Sequence, residues 1–563
     1  MIPEKPSGWF KAAVVLITVA SLEQCYRLYR MFKKGAQDKA LLKDFPSIVT
    51  PDETSWLFGS LLVRFNPVNR HRPHDFLLER MLALGEDTGA LTFNMRNSKT
   101  NPEYTLITLD PDVVEHILET GFDNFTKQID PRDNPFFSMF SDWLGKGIFA
   151  LPHGPDAVDG GSRWLKQRKV AARIFTRNNF NNLMAECFED NMHNLVGVVG
   201  KAADNGEFLD MQEKCFAFTM DAAMNVFYGR KTTTVLDAKD EFATAFDDIQ
   251  RHLLQFFHFN MPKIMLASTL PSPLGGPNGW GVALVKLMSS QARAFYRCLA
   301  VLNTESYRIV DEKRADPALA TDRSLIALFM NQVDDDNLPF SHPKHRMLMR
   351  DVLMSFLLAG RDTTACTLTW ALFVAATEPE VMTRLVEEID RGYEERGGRP
   401  PQLADLAAGK MPYLQGFVYE VLRLYPPVPT DFKTTFKPTS LPDGRVVPAR
   451  TTIMFFPYGM GRDPRRYPDP LAVQPTRWIP FKSPSPFEFP QFQAGPRICL
   501  GKDMALFEAK YVLCVLLRHF SFALKSGERE NITYATAITM SLANSLKQDS
   551  TRLWLQPSRR VLT

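Results

Sequence analysis

Apolar residues recur at three- and four-residue spacing through 208–228, 284–314 and 345–377, the period of helices with one face turned inward. From Ser162 onward the pattern is mostly helical. Strand patterning is scarce. The run Tyr104-Thr-Leu-Ile-Thr-Leu109 carries the β-branched alternation of a strand, within mixed material from 57 to 120. Pro262 to Gly281 is rich in Pro and Gly and predicts a loop or broken connection. Gly397-Gly398-Arg399-Pro400-Pro401 predicts a turn. Between 425 and 500 prolines crowd together and long helices stop, and a last helix is expected to start near Gly501. No solenoid-length repeat or low-complexity tract interrupts the chain. The expected class is mainly α with a minor β-sheet region, in a single large helix-rich domain.

At the N-terminus, Trp9 and Phe10 open an apolar stretch that runs, broken by Lys11, from Ala12 to Leu22. A spanning helix needs about 20 apolar residues, and this run is shorter. Arg27, Arg30, Lys33 and Lys34 follow it, against Lys5 and Lys11 before or within it. The positive-inside rule then puts the body on the cytosolic side. The missing small-residue cleavage site argues for an uncleaved anchor over a signal peptide. The chain is expected to divide into an anchor with its basic flank at 1–44, a linker at 45–56 and the body at 57–563.

Composition alters this picture in two places. With 45% apolar and 23% charged residues over 563 positions, the chain is globular, which excludes disorder and a small disulfide scaffold. The 66 basic and 63 acidic residues leave a charge of +3, no reason to expect nucleic acid. The 42 Phe and 23 Met suit a large, adaptable apolar interior and a pocket for a greasy ligand. Seven cysteines stand apart with no Cys-x-x-Cys pair, which excludes a zinc ribbon and a thioredoxin motif. Their isolation predicts reduced thiols.

The segment most loaded with chemistry is Phe492-Gln-Ala-Gly495-Pro-Arg497-Ile-Cys499-Leu-Gly501, ahead of the helical run Lys502 to Leu517. A buried thiolate is costly without donors around it. Two glycines would let the backbone wrap closely and aim amides at the sulfur. The helix beginning at Gly501 would bring its positive end to the sulfur and lower the thiol pKa. Phe492 would shield it, and Arg497 could reach a carboxylate. Farther upstream, Ala359-Gly360-Arg361-Asp362-Thr363-Thr364 interrupts the apolar segment Val352 to Ala376. A mid-helix Gly costs about 1 kcal/mol relative to Ala, so Gly360 invites a reason. Glu420 and Arg423 stand at i and i+3 on one helical face, among the apolar Phe417, Val418, Val421 and Leu422. Trp164 and Arg168 put two hydrogen-bond donors on another. Taken singly, these fragments also suit an inert core thiol, a polar bulge, a surface ion pair and an exposed Arg. Their order along the chain gives them weight.

In that order the motifs resemble the cytochrome P450 monooxygenases. The resemblance implies haem b, held non-covalently with Cys499 as the proximal iron ligand; thiolate ligation favours O–O cleavage. It implies that Trp164, Arg168 and Arg497 bind haem propionate, and that Phe492, Gly495 and Gly501 shape the loop. Asp362 and Thr363 would relay protons to dioxygen, with Gly360 opening space for it. Glu420, Arg423 and Arg477 would form a structural tie; Thr476 departs from the Glu that many relatives carry beside that Arg. Ala359 stands where animal ω-hydroxylases often carry a Glu that bonds to haem.

Leu424-Tyr-Pro-Pro-Val-Pro429, Asp431-Phe-Lys433 and Leu441-Pro-Asp-Gly444 resemble the plant and fungal fatty-acid ω-hydroxylase branch. A long-chain fatty acid is therefore the expected substrate, with Val428, Phe432, Met540 and Leu542 as candidate lining residues. A sterol or terpenoid hydroxylase is the alternative. The intact Asp362–Thr363 pair weighs against a lipid hydroperoxide isomerase and against a haem-binding protein without turnover. The expected partners are NADPH–cytochrome P450 reductase, docked near Lys502, together with O2, a hydrophobic substrate and the endoplasmic reticulum membrane.

Overall fold

The computed structural model describes residues 42–48, 72–95, 105–127, 135–153, 161–176, 179, 183–236, 240–268, 280–333, 337–535, 538–544 and 552–561. The expected anchor stretch from Trp9 to Lys34 lies outside these residues. Among the described residues no helix is long and apolar enough to cross a membrane.

Among the described residues ten principal helices carry the architecture. They are α1 (Pro73–Thr88), α2 (Ser162–Ala171), α3 (Ala185–Asn205), α4 (Met211–Tyr228), α5 (Glu241–Ser268) and α6 (Ser290–Ala315). Next comes α7, continuous through Arg346–Leu357, Leu358–Asp362 and Thr363–Thr377, then α8 (Pro379–Glu395), α9 (Pro412–Leu424) and α10 (Lys502–His519). In α4, α7, α9 and α10 most residues are buried, on all sides of the helix, the mark of helices at the centre of a large protein. One main sheet lies beside them. Its strands are β1 (Thr92–Asn94), β2 (Thr105–Thr108), β3 (Phe125–Thr126), β4 (Asp431–Thr435) and β5 (Thr452–Phe455), in the order β1-β2-β5-β4-β3. Only β2 and β5 pair in parallel, Thr105 opposite Thr452. Phe432 faces Met454 in the antiparallel β4–β5 ladder. The mainly α class with a minor sheet is as expected.

Local chemistry explains the boundaries. Asp210 caps α4 by accepting from the amides of Gln212 and Glu213 at 3.1 and 3.3 Å, and Gly229 ends it in the left-handed region. The periodic stretch 284–314 is two helices. Trp280–Met288 ends before Ser289, whose hydroxyl accepts from Ala292 N at 3.3 Å and opens α6. The loop expected from Pro262 does not begin there, because α5 runs on to Ser268; a proline can be carried inside a helix as a kink once flanking turns hold it. Residues 45–48, expected as linker, pack on the body. Phe45 is buried, and the chain hydrogen-bonds along β1 through Asn94 N to Pro46 O and Ile48 N to Asn94 O.

Candidate active site

The thiol loop is built where extended chain gives way to α10. Gly495 has φ +57, and a Cβ on it would fall 2.0 Å from the Leu118 carbonyl oxygen, so this position takes only glycine. The Cys499 amide donates to Phe492 O at 2.8 Å, closing the loop on itself, and Lys502 Nζ lies 5.7 Å above the Phe492 ring. Gly501 differs from expectation. Its φ is −93, and an added Cβ would make only ordinary contact with Phe175. Its contribution is the backbone N–H, which bonds the Cys499 sulfur. The thiol is surrounded by protein on most sides yet accessible on the remaining one. Its pKa is raised, against the expected lowering. Burial dominates, and the Gly501 amide, Arg168 and Lys502 offset only part of it.

Beside the sulfur the structure gathers cations from distant segments. Arg168 on α2 donates to Ile498 O at 2.7 Å, binding α2 to the thiol loop. Arg497 is buried, its guanidinium 4.4 Å from the Trp164 ring. It donates to His153 Nδ1 at 2.9 Å and Leu151 O at 2.8 Å. Burial pushes its pKa down to about 9. His153, stacked on Phe122 with ring centroids 3.8 Å apart, is pushed down to about 3 by burial and by Arg497, and so is neutral at pH 7. Fully buried Lys433 on β4 pairs with Asp431 at 3.2 Å, and Gln493 also donates to that carboxylate. Lys127 feels Asp431, Lys433 and Arg497 together, and burial pushes it down to about 8. Sequence reasoning found Trp164, Arg168 and Arg497. It missed Lys127 and His153, which no local motif marks, and it singled out Asp431 and Lys433 only for their likeness to a substrate branch, not for their charge. One carboxylate among these cations leaves positive charge in excess at a sheltered place. That fits a bound group carrying two carboxylates beside a thiolate-ligated metal, as haem does.

A second cluster centres on α7. Leu358–Asp362 forms a widened turn of π-helix within it, a feature frequent at functional sites. Asp362 is fully buried; it accepts from Arg361 Nη1 at 2.9 Å and from Gln250 Nε2 on α5. Arg361 also pairs with Asp247 at 2.7 Å and lies between the rings of Phe216 and Phe246. Burial raises the Asp362 carboxyl to about 6, with Arg361 and Gln250 pulling it back. The neighbouring Thr363 hydroxyl donates instead to Ala359 O at 2.7 Å, a bond within its own helix. Gln250 and Asp247 were not foreseen, since they come from a helix more than a hundred positions upstream. The space expected at Gly360 is filled. A Cβ there would come 2.5 Å from the Phe227 ring of α4, so glycine lets α4 and α7 pack closely.

Glu420, Arg423 and Arg477 meet. Glu420 and Arg423 are fully buried, and Glu420 accepts from Arg423 at 2.9 and 2.7 Å, from Arg477 Nε at 3.2 Å and from Trp478 Nε1 at 3.0 Å. The Gln474 amide adds a bond at 2.9 Å. Arg423 spends its remaining donors on the carbonyls of Gly461, Pro470 and Ala472, so one ion pair pins the segment leading to the thiol loop.

The candidate lining segments also meet. Met540 N donates to Pro427 O at 2.9 Å, and Trp370 Nε1 on α7 donates to Met540 O at 2.8 Å. Val428 and Phe432 are half-buried. Met540 and Leu542 are fully buried, and Leu542 is held at its backbone by Gln212 of α4.

Comparison with known proteins bears on this arrangement. The family model described as Cytochrome P450 matches residues 90–548. Cytochrome P450 704C1 of Pinus taeda is 30% identical over 463 residues, 78% of this chain and 82% of that protein. Cytochrome P450 704B1 of Arabidopsis thaliana is 28% identical, across 85% of this chain and 91% of its own. Alkane hydroxylase MAH1 of the same plant is 26% identical, across 94% and 97%. The crystal structure of the cytochrome P450DA heme domain superposes with a TM-score of 0.69 at 16% identity, covering 92% of this chain and 98% of that one, so the fold is shared far beyond sequence likeness. A thiol loop and a central bulged helix in that fold, with the family pattern spanning most of the chain, have one reading: this chain belongs to the cytochrome P450 family of haem-thiolate monooxygenases.

Proposed function

We propose that the chain places one oxygen atom of O2 into the terminal C–H bond of a long-chain fatty acid. Electrons come from NADPH through a cytochrome P450 reductase. The N-terminal segment holds the protein to the endoplasmic reticulum membrane with its body in the cytosol. The observation that carries the substrate reading is the junction of the two lining segments, Met540 against Pro427, with Met540 O bonded to Trp370 Nε1 of α7 and Tyr425 stacked on the same indole. Terminal hydroxylation needs a narrow channel that admits a chain end, and these joined segments are the candidates for its wall. The resemblance of Leu424–Pro429 and Leu441–Gly444 to fatty-acid ω-hydroxylases supports it. So does a relative named as an alkane hydroxylase, since an alkane shares the unbranched apolar chain of a fatty acid.

Cys499 would hold the haem iron, and Trp164, Arg168 and Arg497 its carboxylates, with Lys127 and Lys433 adding to the positive charge around Arg497. When bound, haem supplies the oxygen-activating chemistry. The remaining work falls to this chain. Asp362, with its carboxyl near 6, can both hold and release a proton close to neutral pH. Arg361 and Gln250 fix which way it points. The Thr363 hydroxyl keeps free lone pairs while donating to Ala359 O, so it can accept a proton without leaving its helix. Glu420, Arg423 and Arg477 hold the approach to the thiol loop, and Lys502 stands beside Phe492 for the reductase.

The test is turnover of a fatty-acid panel with NADPH and microsomal reductase, with product hydroxyl positions mapped by mass spectrometry. Terminal products support the reading. In-chain products keep the lipid class and reject the narrow channel. No product from protein with an intact thiolate-type ferrous–CO spectrum moves the substrate to sterols or terpenoids.

A further inference from the structure

Away from this site, α5 and α6 bring a mixed set of donor atoms together. Asp248 and His252 are at i and i+4 on one face of α5, and Cys298 of α6 comes against them. One ligand atom from each lies within 4.8 Å of the other two, and all three residues are half-buried. The ring nitrogen Nδ1 of His252 is shut off from solvent with no hydrogen-bond partner, although the Gln255 side chain interacts with the ring; buried polar atoms are normally satisfied. Burial, with Arg251 next, lowers the His252 pKa and keeps the ring in its neutral, metal-binding form. Burial and the Asp248 charge hold the Cys298 proton on in the absence of a cation. Arg251 takes Oδ1 of Asp248 at 2.6 Å. Arg251 and Arg297 are the basic groups that a cation would have to face.

We propose that Asp248, His252 and Cys298 form a site for a zinc-class divalent cation that staples α5 to α6. A carboxylate oxygen, an imidazole nitrogen and a thiolate sulfur are the donors zinc takes, with a fourth position left for water. The sulfur selects against magnesium and calcium, which prefer oxygen alone. Binding displaces the thiol proton to solvent and forms the metal–sulfur bond, with no change of oxidation state. The staple has a consequence beyond its own helices. The opposite face of α5 carries Asp247 and Gln250, which hold Arg361 and Asp362. A cation at Asp248 and His252 therefore restrains the helix that orients the buried acid.

The experiment is calorimetric titration of chelator-treated holoprotein with zinc chloride in excess magnesium, with Cys298 alkylation by iodoacetamide mapped by mass spectrometry. The expected result is one zinc per chain, a heat that varies with buffer ionisation, and Cys298 protected by zinc but not by magnesium. His252→Ala and Cys298→Ser should each weaken binding at least about 100-fold, the upper end of what an outer-sphere partner alone is worth. Their visible haem spectrum and circular dichroism should stay as in the parent protein. Zinc held equally well by the double variant, Cys298 alkylated at the same rate with zinc present, or no zinc bound by the folded parent would each overturn the proposal.

Discussion

Replacing Glu420 by Ala leaves the guanidinium of Arg423 buried without its counter-charge. Both side chains are fully buried, and the carboxylate gathers donors from Arg423, Arg477, Trp478 and the Gln474 amide. Arg423 cannot swing out to water, because the carbonyls of Gly461, Pro470 and Ala472 hold its other N–H groups. Breaking one partner of a buried pair costs about 3–5 kcal/mol, mostly from the stranded charge. The Arg423→Ala variant strands the carboxylate in the same way. The double variant removes both charges, so its cost should fall short of the sum of the singles by about 0.5–3 kcal/mol. Urea unfolding of the holoproteins, followed by circular dichroism and by haem absorbance, measures all three. A Glu420→Ala cost within about 1 kcal/mol of zero, or strict additivity, would refute a buried ion pair as the tie.

Three further outcomes are expected. Glu508 of α10 is buried with both carboxylate oxygens unpaired, and burial holds its pKa well above the usual range. Glu508→Leu should therefore stabilise the protein by about 1–3 kcal/mol. The sign follows from the raised folded-state pKa: above the ordinary value of 4.5 the unfolded chain ionises while the fold keeps its proton, so the parent loses stability as pH rises from there toward the raised pKa, and in urea melts the gain should grow with pH over that range. A gain that shrinks over that range would show that Glu508 is charged in the fold. Gly360→Ala drives a Cβ to within 2.5 Å of the Phe227 ring and should cost about 1–3 kcal/mol; Phe227→Leu in the same chain should recover part of it in thermal melts. Thr363→Ala should lose hydroxylated product while NADPH is still consumed and peroxide released; unchanged coupling of product to NADPH removes Thr363 from the proton route.

The buried acid Asp362 marks the limit of motif reading. Its position beside Thr363 is legible in the Ala359–Thr364 segment. Its partners are not, because Gln250 and Asp247 belong to a helix whose own pattern says only that one face is apolar. The two residues are therefore adjacent in the chain while their side chains are held by different neighbours, Asp362 by Gln250 of α5 and by Arg361, Thr363 by its own helix.

The linear chain already contains the helical periods, the strand at 105–108, the thiol loop and the order of motifs from Trp164 to Gly501. Each of these depends on neighbours within a few residues: side-chain period, capping by Asp210 and Ser289, and the turn that Gly495 alone allows. Contacts between remote segments could not be read there. Lys127, His153, Asp431, Lys433 and Arg497 come from stretches spread over almost 400 positions, and only folding sets their charges side by side. The Cys499 pKa turned on the same point. A helix start and nearby cations are visible in sequence and argue for a lowered value, but desolvation depends on how much protein surrounds the sulfur, and in this fold it outweighs them. Gly360 likewise reads as an opening until Phe227 of α4 is found against it. Period and turn chemistry are local properties, whereas burial and charge balance depend on which distant segments the fold packs together.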